Sequence, residues 1–516
     1  MNWPRWRRAR QVVQILTFAV YVYLLFAALQ RRAALPLADL FFRLNPLSAL
    51  GAMLADRAWI PRLAPALITL GLTLVFGRVW CGWLCPLGTL LEWMRFRSAE
   101  IGAFPETRLR QWRTVKHMLL LLILVAALLG NLSLLVLDPL ALFTRTMTTV
   151  IIPGLNYAIT AVERAAYHVQ FLRPIVDWLE GVLRGPVLPV VQPVFAQNAG
   201  LAVLFVTILA LNALADRFWC RYLCPLGALL GLLSKVSLLR PFVRPACNRC
   251  GHCVSACRLD AIETGRGYEI VPAECTVCLD CLAVCPESGA LSTSKGDALG
   301  TSRSGIGFRF HRRPDPVRGH DPTRRQVLTA LAAGVAGVVV LRTGVQAKQP
   351  HPQLIRPPGV GDEGEFLARC LRCSQCMKVC PTSGLQPALL EAGLEGLWTP
   401  RLVSRLGYCD YGCNACGQIC PSGAIPPLDL ARKREAVIGV AVIDRDRCLP
   451  WADGVECIVC EEMCPTPEKA IELQTEGSDR NPEVQKPIVI ADRCLGCGIC
   501  EHQCPVEGES AIRIYR

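Results

Sequence analysis

The chain changes character near residue 245. Before it, long apolar runs alternate with short polar stretches. After it, apolar positions are isolated or paired, apart from one run at 327–341. Residues 12–29, 63–79, 118–137 and 199–215 are each apolar over about the length of a membrane span, so four α-helical spans are expected. Two weaker runs, 147–162 and 187–195, are interrupted by Pro153, Gly154, Pro189 and Pro193 and predict interfacial or re-entrant pieces. Lys and Arg number sixteen in the N-terminal tail, 80–116 and 215–249 together, against eight in 30–61 and 138–198. Cationic loops stay on the cytoplasmic side, so the N-terminus is expected in the cytoplasm.

The polar edges of these runs repeat. Arg78-x-Trp80-Cys81-x-x-Leu84-Cys85-Pro86-Leu87-Gly88 recurs as Arg217-x-Trp219-Cys220-x-x-Leu223-Cys224-Pro225-Leu226-Gly227, at a constant offset of 139 residues. Asn45-Pro46-Leu47 after the first run has a counterpart in Asp138-Pro139-Leu140 after the third. The reading is a duplicated two-span repeat: span, polar-Pro-Leu turn, span, Cys-x3-Cys-Pro. Both cysteine pairs then fall at the cytoplasmic edge, and repeats of this kind place function between the halves.

The late apolar run follows Arg324-Arg325 and ends in small residues, Val345-Gln346-Ala347. That is the layout of a twin-arginine export signal, met in mid-chain as a fifth, signal or anchor segment. Four spans return the chain to the cytoplasm before it, where such a signal must begin. The chain therefore divides into a four-span membrane domain (1–245), a cytoplasmic module (246–290), a Gly-, Ser-, Arg- and Pro-rich linker (291–322), the signal or anchor (323–347) and a periplasmic module (348–516).

Composition sharpens this. With 52% hydrophobic residues and a mean hydropathy of +0.34, a wholly soluble 516-residue protein is excluded. The net charge of +13 is accounted for by cytoplasmic Lys and Arg beside lipid, and no nucleic-acid motif accompanies it. The 28 cysteines come in tight fours, unlike the spread pairs of a disulfide scaffold. Two runs are Cys247, Cys250, Cys253, Cys257 and Cys275, Cys278, Cys281, Cys285. The other four are Cys370, Cys373, Cys376, Cys380; Cys409, Cys413, Cys416, Cys420; Cys448, Cys457, Cys460, Cys464; and Cys494, Cys497, Cys500, Cys504.

Such runs fit the bacterial ferredoxin pattern. Three close thiolates wrap one [4Fe–4S] cluster and the fourth cysteine crosses to its neighbour. Cys247, Cys250, Cys253 and Cys285 are assigned to one cluster, and Cys275, Cys278, Cys281 and Cys257 to another. Pairing within 348–516 is left open. Six clusters are expected, in α+β ferredoxin-like modules with short strands near 261–262, 269–271, 437–443, 488–490 and 512–514. Zinc is disfavoured because it prefers separated pairs. Arg258 stands where a proline is usual. The four remaining cysteines, Cys81, Cys85, Cys220 and Cys224, could hold a further iron or iron–sulfur centre, or cycle between dithiol and disulfide.

A row of clusters moves single electrons. No convincing dinucleotide fingerprint, Cys-x-x-Cys-His haem site or nucleophile constellation accompanies it. Joined to a membrane domain, the row points to quinol as donor. Quinol oxidation needs proton acceptors, and the polar candidates on the periplasmic side are Asn45, Asp138 and His168, then Glu163 and Asp177.

The paired Trp-Cys-x-x-Leu-Cys-Pro-Leu-Gly motifs followed by two clusters resemble NapH, the membrane component of the quinol dehydrogenase of periplasmic nitrate reduction. The twin-arginine stretch with four cysteine runs resembles NapG, its exported partner. MauN and MauM, NosR and CcoG share parts of the pattern. The resemblance covers nearly the whole chain as a fusion of the two. It implies a quinol dehydrogenase in the bacterial inner membrane that passes electrons to a periplasmic reductase through a c-type cytochrome. Two alternatives stand beside it: an accessory redox protein for maturation or regulation of a periplasmic metallo- or quinone-cofactor enzyme, and a structural anchor.

Overall fold

The computed structural model describes residues 3–29, 37–94, 112–184, 192–196, 198–243, 247–285, 306–310, 323–343, 351–475 and 484–516. Most of the stretch read as linker, and the Val345-Gln346-Ala347 end, lie outside these. Within the linker, Ile306–Phe310 forms a strand antiparallel to Leu239–Val243.

A layer of apolar helices forms the first part. Among the described residues, one helix is long and apolar enough to cross a membrane, Arg5–Ala28 within Trp3–Leu29. Pro61–Phe76, Ala199–Ala213 and Pro225–Ser234 are apolar but shorter. The other expected runs are cut by their own punctuation. Ala66–Phe76 stops at Gly77, whose φ of 77° no side chain adopts readily. Arg113–Leu128 ends before Gly130, φ 76°, and continues only as the 3-10 turn Ser133–Leu137. The stretch read as broken at Pro153 is instead helical, through Pro139–Thr146, a π turn at Met147–Ile151, and Ile152–Tyr167. The π turn shifts the bonding frame, so Pro153 falls in the first turn of the next helix. Arg324–Thr343 lies along Arg113–Leu128, and Gly334 permits it: a Cβ there would sit 3.0 Å from Val125 Cγ1.

Two cysteine-rich modules cap this layer. Residues 247–285 carry two short helices, His252–Ala256 and Asp280–Val284, and the strand pair Ile262–Glu263 with Glu269–Ile270. Residues 351–516 carry three strand pairs: Leu385–Pro387 with Pro400–Leu402, Val440–Ile443 with Ile512–Tyr515, and Ile471–Gln474 with Lys486–Val489.

Individual helices connect the two modules. At the start of Trp3–Leu29, Arg10 pairs with Asp280, and near its end Ala28 packs with Val379, Ala415 and Ile419. Eighteen residues of helix separate those positions, about 27 Å at 1.5 Å per residue. Arg62, just before Ala66–Phe76, donates to the Gln418 carbonyl, and Arg78 just after it donates to the Ala273 carbonyl. Arg113 and Lys116 reach Asp260 and Glu274, while Asn131 beyond the same helix reaches Glu395. The modules therefore sit at opposite ends of the helical layer.

Candidate metal centres

The cysteine runs curl because of the residues between the cysteines. Arg249 and Gly251, Val277 and Leu279, Arg372 and Ser374, and Gly496 and Gly498 flank the second cysteine of their runs, all with φ between 53° and 82°. Left-handed residues on either side fold three thiols toward one point and turn backbone N–H groups inward. The Arg249 and Val277 N–H groups donate to Cys247 and Cys275 Sγ at 3.4 Å. Non-glycine residues accept this conformation at roughly 1–2 kcal/mol each, so packing around the thiols must hold it.

The curled runs meet in crossed sets of four. Cys257, Cys275, Cys278 and Cys281 line one cavity. Cys380, Cys409, Cys413 and Cys416 line a second, Cys448, Cys457, Cys460 and Cys504 a third, and Cys464, Cys494, Cys497 and Cys500 a fourth. Two further sets share a local field. Burial first, then Cys247, Cys285 and Cys250 among its neighbours, pushes the Cys253 thiol up. Burial, then Cys373, Cys370 and Cys420, does the same to Cys376. Each set takes three cysteines from one run and the fourth from its sequence neighbour. Among the described residues, no three His, Cys, Asp or Glu side chains are grouped to hold a single ion. Four thiols around an apolar cavity suit a larger cluster with separate corners.

Burial sets the chemistry of these thiols. It pushes Cys275 up to about 12 and Cys278, Cys409, Cys448 and Cys497 each up to about 11. Without a metal they are protonated at neutral pH, so ligation releases protons and becomes part of the folding free energy.

The 247–285 module is fastened by buried charge. Glu274 accepts from Lys116 at 2.5 Å and lies 3.7 Å from Arg78. Glu92 pairs with Arg217, Arg10 and Arg258 at 2.5, 3.0 and 2.7 Å. Arg258 thus uses the position where proline is usual to reach the helical layer. Gly82 admits the module's backbone: a Cβ there would lie 2.3 Å from the Thr276 carbonyl oxygen. The sequence reading missed Glu92, Glu274, Asp260 and Asp280. Each is a lone carboxylate, and Glu92 lies within the helix Pro86–Trp93, so no periodic signal marked it.

The paired cysteine turns have the same local structure. Trp80–Leu84 and Trp219–Leu223 are π turns, and Cys85 and Cys224 each cap the next helix through an N–H to Sγ bond, from Gly88 at 3.4 Å and Gly227 at 3.2 Å. Proline follows at the first helical position of both. None of these four cysteines is in a disulfide. Cys81, Cys85 and Cys224 belong to the core of the helical layer, with Cys220 against it.

The proton-acceptor candidates separate. Asn45 and Asp138 come together, with Asn45 Nδ2 donating to both Asp138 oxygens at 2.8 and 2.9 Å. Each also caps a helix, accepting from the Leu47 and Ala141 N–H groups at 3.0 Å. His168 lies exposed at the end of Ile152–Tyr167 and does not join them. Glu163 pairs with Arg184 at 2.6 Å, and Asp177 is exposed.

Comparison with known proteins gives the following. A family model described as "4Fe-4S binding domain" matches residues 59–103 and again 198–244. The methylamine utilization ferredoxin-type protein MauM of Methylorubrum extorquens is 37% identical over 202 residues, 37% of this chain and 89% of that protein. The ferredoxin-type protein NapG of Escherichia coli is 36% identical over 189 residues, 36% of this chain and 80% of its own. The ferredoxin-type protein NapF of the same organism is 32% identical over 162 residues, 31% and 86% respectively. No solved structure matches.

Proposed function

Because the chain belongs to the ferredoxin-type iron–sulfur proteins exemplified by MauM and NapG, we propose that it is an electron-transfer protein of the bacterial inner membrane, a quinol dehydrogenase serving a periplasmic reductase. The reading joins a NapH-like four-span domain with a duplicated repeat, a cytoplasmic two-cluster module and an exported four-cluster module. The terminal acceptor is reached through a c-type cytochrome.

The observation that carries it is the placement of modules at opposite ends of shared helices. Arg10 and Ala28 of one helix touch different modules about 27 Å apart, close to the thickness of a bilayer's hydrocarbon core. The outward faces of the helices between them carry Ile15, Leu16, Val20, Ile68, Val203, Val206, Val335 and Val339, all exposed. Exposed large apolar side chains on successive helices suit lipid. Arg10, Arg78, Arg113, Lys116 and Arg217 lie on the face that meets residues 247–285, and a cytoplasmic location of that face agrees with the charge bias of the sequence.

Bound [4Fe–4S] clusters would supply one-electron chemistry at the six cysteine sets. The chain's part is to exclude water, through Ile262, Ile270 and Leu282 in one module and Ile471, Ile512 and Ile514 in the other. It also directs N–H groups at sulfur, as from Ala261 to Cys257 at 3.2 Å and Ala441 to Cys494 at 3.4 Å, which favours the charged sulfur. Cys373 and Leu371 join the core of the helical layer, so the set with Cys370, Cys376 and Cys420 is the natural entry for electrons from quinol on that face. Asn45, Asp138 and His168 remain the candidates for handling quinol protons, with Asn45 and Asp138 acting as a pair.

A second reading, electron supply to the maturation of a periplasmic cofactor enzyme, draws on the methylamine utilization relative, whose identity equals that of NapG within a percentage point. Anaerobic proteoliposomes test the first reading. A reduced quinone analogue is expected to reduce clusters in both modules. Reporters fused at Asp297 and Gly361 should report opposite compartments, and lysines at Arg324 and Arg325 should block export. Cluster reduction by dithionite but not by quinol, or one compartment for both reporters, rejects it.

A further inference from the structure

We propose that Cys81, Cys85, Cys220 and Cys224 together hold one further iron–sulfur cluster, shared between the two paired cysteine turns and cradled by Arg78, Arg217, Trp80 and Trp219. The six-cluster reading uses none of these cysteines. Each segment matched by the 4Fe-4S family model contains two of them, too few to hold a cluster alone.

The first ground is convergence across the halves. Arg78 belongs to the first turn but reaches the second. A Cβ on Gly227 would meet Arg78 Nη2 at 2.8 Å and Cys224 Sγ at 3.4 Å, so guanidinium and thiol flank the same spot. Three of the four cysteines are buried in one apolar core and the fourth packs against it.

The second ground is a set of buried donors with no acceptor. Arg78 Nε and Nη2, Arg217 Nε, Trp80 Nε1 and Trp219 Nε1 are all buried and unpartnered. Arg78 and Arg217 are 1% and 3% exposed, Trp80 and Trp219 2% and 4%. Leaving one such N–H unsatisfied costs about 1–3 kcal/mol, more for charged groups. One orphan could be a local misfit. Orphans at both members of two pairs, each 139 residues apart, point to a shared missing acceptor. It must accept hydrogen bonds from indole and guanidinium N–H groups, and it must lie between the turns. A four-thiolate iron–sulfur cluster meets both conditions. Ligation is ligand exchange on a preassembled iron–sulfide core delivered by a thiolate scaffold: four iron–Sγ bonds to these cysteines replace four iron–thiolate bonds to the scaffold, and the four thiol protons pass to the departing thiolates.

The site also has a neighbour. Trp83 Nε1 donates to the Val277 carbonyl at 2.9 Å, and Arg217 lines the cavity of Cys257, Cys275, Cys278 and Cys281. A cluster between the turns would abut that cysteine set and extend its row into the helical layer.

The test uses full-length protein purified anaerobically in detergent, wild type beside Cys81→Ser/Cys220→Ser. Iron and acid-labile sulfide should both fall by one cluster's share, with loss of one electron paramagnetic resonance signal and retention of the others. That difference stands whatever the total count, so it is separable from failure of the six-cluster reading. Unchanged iron and sulfide, or loss of iron without sulfide, overturns the proposal. Should the serine variant not assemble, Trp80→Phe and Trp219→Phe keep the ligands and remove only the indole donors. One signal, and no other, is then expected at lower potential, because a more negative reduced state loses its donors. No shift in any signal overturns the proposal.

Discussion

The two cysteine-rich modules differ in what holds them. Residues 351–516 have their own core, in which Ile355, Phe366, Leu385, Ile425, Ile471 and Ile512 pack around cysteines of all four runs. Residues 247–285 pack a cluster of five buried residues, one of them a cysteine, and Trp83 of the helical layer packs against it. The small module meets the layer through carboxylates, buried Glu274 and Asp280 and half-buried Asp260, each facing at least one cation. The large module docks mostly without paired charges: Arg145 stacks 4.3 Å over Trp398, Gln386 Nε2 donates to the Val194 carbonyl, and Arg369 with Asp56 makes an ion pair. A module too small to bury enough apolar surface borrows its framework, and the specificity of that framework lies in charge.

The largest effect should come from removing iron. Cysteines of all four runs lie within the large module's core, so chelation under oxidising conditions should abolish its ordered structure outright, read by near-ultraviolet circular dichroism and protease sensitivity. Residues 351–516 produced alone should still assemble clusters, whereas 247–285 alone should not. A small module that holds iron by itself would break the comparison.

Next comes a single crossed ligand. Cys504 lines the cavity of Cys448, Cys457 and Cys460, not that of its own run. Cys504→Ser should therefore remove or convert one cluster of the large module and leave the one held by Cys464, Cys494, Cys497 and Cys500. Loss of the latter instead would mean that each run closes on itself.

Glu274→Gln ranks third and acts on the small module. It leaves Lys116 and Arg78 buried without their carboxylate, and breaking a buried pair typically costs about 3–5 kcal/mol. Iron should leave residues 247–285 at clearly lower urea than in wild type, while the large module is unaffected. Burial raises the Glu274 carboxyl, but Lys116 and then Arg78 more than offset this and hold it below the ordinary carboxylate range. Its contribution is therefore present at neutral pH and lost on acidification through that depressed value, a loss the Gln variant should not show.

Much of this was legible because cysteine spacing is a local code. The runs and the crossing in residues 247–285 follow from it, and so do the strands near 262, 270, 440, 488 and 512. Pairing inside 351–516 was not legible, because any two of four runs satisfy the same spacing; folding chose sequence neighbours. The helical layer was read by apolar length, which could not anticipate that a π turn at Met147–Ile151 absorbs Pro153. Nor could it find Glu92 or Glu274, since a lone carboxylate carries no period. Asn45 and Asp138 were picked out by their shared turn, but their contact across 93 residues is a tertiary fact.

The smallest effect should lie at the large module's ion pair with the layer. Arg369 Nε meets Asp56 Oδ1 at 2.7 Å, yet the arginine side chain is 33% exposed. Partly exposed pairs contribute about 0–1 kcal/mol, because solvent screens them and ordering the side chains offsets the attraction. The module is also tethered: residues 344–350 alone separate helix Arg324–Thr343 from the first described residue of the module. A short tether keeps the effective concentration in the millimolar range, so docking does not depend on a strong interface. Asp56→Asn should thus change the undocked population by no more than about fivefold, since a kcal/mol or so corresponds to that factor. Hydrogen exchange reads it locally. Amides of Leu371 to Gln375, which face the layer, should lose slight protection, while those of strand Ile512–Tyr515 in the module's own core should lose none. Cluster loss from Asp56→Asn would contradict this, because it would make the large module as dependent on borrowed charge as the small one.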